Sequence, residues 1–135
     1  MHVYFSDDAE RAAAMELREK LQARFGGWMR FYAPKDRPIG AAAARDASTR
    51  VEEANARGKR PLTGPHPLPM WEADFGAYEH RSKWTEVRDF LLENNPDGLS
   101  ILIHPHSTDS DYVDHTEHAW WAGEVLELRM RGPGR

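Results

Sequence analysis

The chain has 135 residues, of which 40% are apolar or aromatic, so it can build one hydrophobic core and we expect a single domain over residues 1–135. Its net charge is −4, and its basic residues are dispersed among acidic ones, which argues against nucleic acid as a partner. No apolar run approaches the roughly 20 residues that cross a bilayer, and a signal-peptide pattern is missing, so the sequence predicts a cytoplasmic protein that does not bind membranes. Cysteine is absent, which leaves nitrogen and oxygen as the only metal ligands.

The N-terminal half predicts two strands and one helix. Residues 2–5 alternate polar and apolar side chains and are rich in strand formers. From 8 to 25, apolar residues recur at helical spacing, and 28–32 then predict a second strand. Residues 41–60 are rich in Ala, Arg and Glu, with almost no large apolar side chain, so we interpret them as an insertion.

The C-terminal half predicts a third strand at 70–75, a second amphipathic helix from Trp84 to near Asn94, a fourth strand at 99–104 and a fifth edge strand at 124–130. For the first four strands and two helices, the order is strand, helix, strand, strand, helix, strand. This order favours an α+β fold, a ferredoxin-like sandwich whose antiparallel sheet has the order 4-1-3-2 and carries both helices on one face.

In that topology, the alternation of side chains along each strand decides which residues face the helices. Val3 and Ile101 face them, whereas His2 and His104 share the open face. Strands one and four would be antiparallel neighbours, which brings His2 close to His104, and Glu72 or Asp74 would join them from strand three. Two imidazoles and a carboxylate are the ligand set of facial-triad iron(II) sites, which leave positions for a substrate and dioxygen.

Four of the seven histidines fall between His104 and His118, in a segment dense with acidic residues. His115 and His118 are three residues apart, so in a helical turn they would share one face. That placement suits acid–base work or substrate positioning. The alternative is an N-capped turn of no catalytic role, with Asp114 as the cap.

The segments GPHPLPMWEADF and LSILIHPHSTDSDYVDHTEHAWWAGEVLEL, together with the opening HVYF, resemble the DOPA 4,5-dioxygenase family. The resemblance covers residues 2–32 and 61–130. Its elements are a GPHP, a strand that ends in His-Pro, an Asp-His-Thr-x-His-Ala and a Trp-x-Gly, in that order. It implies extradiol cleavage of a catechol such as DOPA by dioxygen at non-haem iron(II), for which zinc or nickel can substitute.

Carried over by position, the resemblance places the family's histidines at five positions of this chain. We assign three as metal ligands and two as catalytic residues: His2, His66 and His104 as ligands, His115 and His118 as acid–base or substrate-positioning groups. His66 rests on the resemblance alone, because the start of the third strand lies at the far end of the sheet from His2. Glu72 therefore stays an alternative third ligand.

Two departures from the family pattern concern histidines. Family members commonly open with His-x-His, whereas Met1 stands directly before His2, so one imidazole is missing and activity could be altered. His106 follows Pro105 where relatives often carry another polar residue. Of the adjacent pair Trp120 and Trp121, we expect one to face the core, which leaves the other able to stack on an aromatic substrate.

The alternative function is a non-catalytic ferredoxin-like metal-binding or assembly module. Such a sheet could bury its open face in a homodimer, and a fold does not fix a function. The two functions differ in the metal site. An open coordination position in a pocket for a catechol indicates the enzyme, and a closed site of four ligands indicates the module.

Overall fold

The computed structural model describes residues 1–35, 66–128 and 130. The predicted insertion at 41–60 lies outside these residues. In the described part of the chain, every helix is too short or too polar to cross a membrane.

Within the described residues, five strands form one antiparallel sheet in the order β2-β3-β1-β4-β5. The first four strands therefore lie in the predicted order, and the fifth extends the sheet beyond β4. The chain has an α+β fold. The strands are β1 (His2–Tyr4), β2 (Arg30–Phe31), β3 (Met70–Asp74), β4 (Ile101–Ile103) and β5 (Trp120–Ala122).

The helices are α1 (Asp8–Phe25), α2 (Trp84–Glu93), which follows a 3-10 helix (Tyr78–Lys83), and α3 (Asp111–His115). α1 begins where the Asp7 carboxylate accepts a hydrogen bond from the Glu10 N–H at 2.8 Å. Apolar side chains of α1 and α2 share one core with a single face of the sheet, as predicted. The buried members of this core include Ala14, Leu17, Leu21, Phe25, Val87, Leu91, Val3, Trp71, Ile101 and Ala122.

The opposite face of the sheet carries a second, smaller apolar cluster. Tyr4, Met70 and Leu102 are buried there, and Trp121, Leu126 and Leu128 pack against them. The predicted side-chain alternation is confirmed, because Val3 and Ile101 lie in the helix-side core, whereas Tyr4 and Leu102 lie on this face.

The prediction of a fifth strand at 124–130 was wrong. The fifth strand is Trp120–Ala122, and residues 124–128 form no strand. Strand β5 pairs with β4 through Trp120 opposite Ile103 and Trp121 opposite Leu102. In that register Trp120 packs into the helix-side core and Trp121 into the cluster on the other face, so one tryptophan faces the core as expected. Because Trp120 and Trp121 bury apolar surface on opposite faces of the sheet, pairing of Trp120–Ala122 with β4 is favoured over pairing of residues 124–128.

Gly123 ends β5 with φ +69°, in the left-handed region, and a Cβ added there would overlap the carbonyl oxygen of Leu99. Gly98 has the similar φ of +65°, but its Cβ would meet no described atom within 4 Å. We expect Gly98→Ala to cost about 1 kcal/mol through backbone strain alone, and Gly123→Ala about 3 kcal/mol because overlap is added. Urea unfolding measures both variants, and equal costs would contradict the close approach at Gly123.

Candidate metal centre

Four imidazoles meet on the sheet face opposite the helices, and we call them the histidine cluster: His2, His66, His104 and His115. They come from β1, the segment before β3, the residue after β4 and the end of α3. The ring centroid of His2 lies 4.1 Å from that of His66 and 5.2 Å from that of His104. The centroids of His104 and His115 are 3.8 Å apart. The predicted approach of His2 to His104 is therefore present.

His66 joins the cluster because the chain ahead of β3 folds back over the sheet. Met70 opens β3 opposite Tyr4, yet the ring of His66, four residues earlier, reaches that of His2. One nitrogen each of His2, His66 and His115 lies within 4.8 Å of the other two, and all three residues are buried. This is the spacing of a group that could hold one metal ion.

Glu72, the alternative third ligand, lies on the other side of the His2 ring. One carboxylate oxygen is 3.7 Å from His2 Nδ1, and the other binds the Lys35 ammonium. The carboxylate faces the ring nitrogen opposite to the one that meets His104. Glu72 is thus placed to support His2 rather than to replace His66.

The Nδ1 atom of each imidazole in the cluster has its own outer partner. His104 Nδ1–H donates to the Pro105 carbonyl at 2.8 Å, and His115 Nδ1–H donates to the Asp111 carbonyl at 2.7 Å. A carbonyl oxygen can only accept, so in the neutral form of either ring the proton lies on Nδ1 and the lone pair on Nε2. Imidazoles that bind metals are held in this way.

His2 has the same proton arrangement. Its Nδ1 faces the Met70 thioether at 3.0 Å and the Glu72 carboxylate, which are both acceptors, so the proton belongs on Nδ1. The Nε2 atoms of His2 and His104 are 3.1 Å apart, which brings two lone pairs together. A cation bound to His2 Nε2 would relieve this repulsion, whether or not His104 also binds it. The donor set therefore fits a metal.

Burial favours the uncharged form of His2, His66 and His104. It is the largest cause that lowers the pKa of His66 to about 3 and that of His104 to about 4, and the neighbouring His115 lowers both further. Burial also lowers the pKa of His2 far below its ordinary value. Neutral imidazoles are the form that binds a metal ion, so these three residues have no proton to lose near neutral pH.

His118, the second residue predicted to be catalytic, is not brought into the cluster. Its exposed ring bonds the Asp109 carboxylate at 2.9 Å, and this bond raises its pKa. His106 is also exposed, but its ring stands edge-on to that of His104 at 5.2 Å between centroids. His106 therefore borders the cluster, and His118 does not.

Sequence reasoning missed the part that Asp114 plays. Its buried carboxylate accepts hydrogen bonds from the N–H of Ser107 at 2.7 Å and from the hydroxyl of Ser107 at 2.5 Å. The N-cap of α3 is Ser110, not Asp114. Asp114 instead ties the loop after His104 to the helix that carries His115, a pairing over seven residues that no local pattern signals.

The sequence matches the model of the Dopa 4,5-dioxygenase family over residues 42–131. The chain belongs to this family. The match takes in most of the segment predicted as an insertion, and β1 and α1 lie before it. Among curated proteins, none matches the chain.

A solved structure from Nostoc punctiforme, named as that of a candidate dioxygenase, is similar to this chain. The two share 30% sequence identity and a TM-score of 0.65, over 95% of this chain and 83% of that one. Family and neighbour together support a dioxygenase-type function. His66, His104 and His115 lie within the matched residues.

Proposed function

We propose that this chain is an extradiol dioxygenase that opens a catechol ring at an iron(II) ion held by His2, His66 and His115. The observation that carries the proposal is the meeting of these three buried imidazoles within 4.8 Å in a member of the Dopa 4,5-dioxygenase family. Zinc or nickel could occupy the same nitrogen ligands without supporting turnover. We also propose a ferredoxin-like sandwich, extended by β5, as the architecture.

The reaction inserts both atoms of dioxygen into the substrate. The ring bond beside the two hydroxyl groups breaks and leaves an aldehyde and a carboxylic acid, and the substrate supplies the electrons that reduce dioxygen. When bound, iron(II) supplies a place where catechol and dioxygen react side by side. The chain holds the ion with neutral imidazoles and moves the catechol proton.

His104 is our candidate for the proton transfer. It is only partly buried, whereas the other three members of the cluster are buried, so a substrate can reach it. Its Nδ1–H is held by the Pro105 carbonyl, which leaves the Nε2 lone pair 3.1 Å from His2 Nε2. From there Nε2 can take a proton from a catechol hydroxyl and later return it.

This proposal exchanges the roles that the sequence predicted for His104 and His115. His115 becomes a ligand, because its buried ring belongs to the group of three nitrogens. His118 receives no role in the reaction, because its ring is exposed and bonds Asp109.

The test is oxygen uptake by iron(II)-reconstituted protein with L-DOPA and with unsubstituted catechol, alongside the absorbance of the yellow ring-opened product. We expect one dioxygen consumed per catechol, and both atoms of labelled dioxygen in the product. His66→Ala should lose turnover, and His118→Ala should keep it, since that ring lies outside the cluster. Iron-loaded, folded protein that consumes no catechol would overturn the proposal.

One observation favours a second function, a metal-binding module without catalysis. The Nε2 of His104 is near enough to that of His2 to act as a fourth ligand. Four protein ligands would close the site, as in structural zinc centres. Loss of the metal from both His104→Ala and His115→Ala would favour this module over the enzyme.

A further inference from the structure

Tyr4 belongs to the apolar cluster on the sheet face that carries the histidine cluster, and its phenol contacts His66. Its hydroxyl oxygen lies 2.5 Å from Nδ1 of His66, and the residue is buried. Tyr4 was absent from the predicted site, although it lies two residues from His2 on the same face. The same alternation that placed His2 there could have identified it.

Several contacts fix the phenol in place. Tyr4 is opposite Met70 in the sheet, and its backbone N–H donates to the Ser100 carbonyl at 3.0 Å. Its ring stacks on Trp121, with 5.9 Å between the centroids and 19° between the planes. A hydroxyl held this firmly can orient the imidazole that it binds.

We propose that Tyr4 is the positioning residue of His66: its hydroxyl oxygen accepts the Nδ1–H and so fixes the tautomer whose Nε2 lone pair can bind a metal. This inference rests on the proposed metal site. His104 and His115 obtain the same tautomer from backbone carbonyls, which every side-chain substitution preserves. His66 obtains this tautomer from the Tyr4 side chain, so a single substitution can remove the accepting oxygen atom.

Tyr4→Phe removes that oxygen and keeps the ring. In metal-stripped wild type, NMR of labelled histidine, assigned with His66→Ala, should show His66 protonated on Nδ1. Zinc is the binding probe because its affinity can be measured without turnover. We expect Tyr4→Phe to bind zinc about 10- to 100-fold more weakly than wild type, as for other outer partners of metal-binding imidazoles.

Two comparisons separate positioning from a general structural effect. Tyr32→Phe also deletes a tyrosine hydroxyl bond, at 2.6 Å to Asp74, but it should leave zinc affinity unchanged. In a His66→Ala background, Tyr4→Phe should have no further effect on zinc affinity, because the imidazole that it orients is gone.

The inference is overturned if wild-type His66 is protonated on Nε2, if Tyr4→Phe binds zinc as tightly as wild type, or if its effect persists without His66. The NMR measurement on wild type decides the question even where a variant fails to fold. Wild type that binds no zinc or iron would instead remove the proposed function, and this inference with it, before any variant is compared.

Discussion

His115→Ala should lose its metal, whereas His104→Ala should keep the metal and lose turnover. His115 is buried, and its Nε2 carries a lone pair because Nδ1–H is held by the Asp111 carbonyl. Its removal takes away one of the three metal ligands. We therefore expect metal affinity to fall by more than the roughly 100-fold seen when a residue that hydrogen-bonds a metal ligand is removed. Removal of a proton-transfer group instead lowers kcat by about 100- to 10,000-fold.

Metal content after dialysis, metal affinity and oxygen uptake on the same preparations measure these effects. His106→Ala is the matched control for His104→Ala, because its ring touches that of His104 but is exposed. It should keep both metal and most of the turnover. If His104→Ala loses the metal while His115→Ala retains it, the ligand set predicted from the sequence is right and our exchange of roles is wrong. Loss of the metal from both variants would indicate the closed module.

Metal-stripped protein should lose stability steeply as the pH falls below about 6.5, the ordinary pKa of histidine. The pKa of His66 is lowered to about 3 and that of His104 to about 4 in the folded state, with burial as the main cause. Between these values and about 6.5, the unfolded chain takes up protons that the folded chain refuses. The free energy of unfolding is therefore highest above about pH 6.5 and falls as the pH drops below that value.

For His66 alone the slope is about 1.4 kcal/mol per pH unit, or roughly 2 to 3 kcal/mol of unfolding free energy by about pH 4.5. His2 adds to the loss in the same direction. Urea unfolding in the presence of a chelator, from about pH 7.5 to about 4.5, measures the profile. In His66→Gln the slope of unfolding free energy against pH should correspond to about one proton fewer, because that imidazole is gone. His118→Gln should not reduce the slope, because His118 is exposed. A flat wild-type profile would contradict buried, neutral imidazoles.

The sequence was sufficient to place His2 and His104 together, because both positions follow from simple geometry. Side chains alternate along a strand, and antiparallel neighbours bring the start of one strand beside the end of the other. The observed register sets His2 opposite Leu102, two residues from His104. The same reasoning placed Val3 and Ile101 in the helix-side core.

Strand geometry was not sufficient to place His66, which only the family resemblance indicated, or to place Asp114. His66 joins the cluster through the path of the chain before β3, and Asp114 through a bond to Ser107, and neither has a period along the sequence. The fifth strand was misplaced for a related reason. Residues 124–128 contain three apolar side chains, but the pairing with β4 went to Trp120–Ala122, whose tryptophans pack on both faces of the sheet. Side-chain packing against the rest of the sheet therefore decided which of the two segments forms the fifth strand.

The position of β1 between β3 and β4 has a consequence for how the chain folds during synthesis. His2 and His104 are separated by 102 residues, and Tyr4 and His66 by 62. Contacts over such distances form slowly, because long loops must close first. On the ribosome, β1 waits with both edges unpaired until β3 and β4 have emerged, so it is exposed to wrong partners and to chaperones throughout that time. We expect metal capture to mark the completion of folding rather than to guide its start.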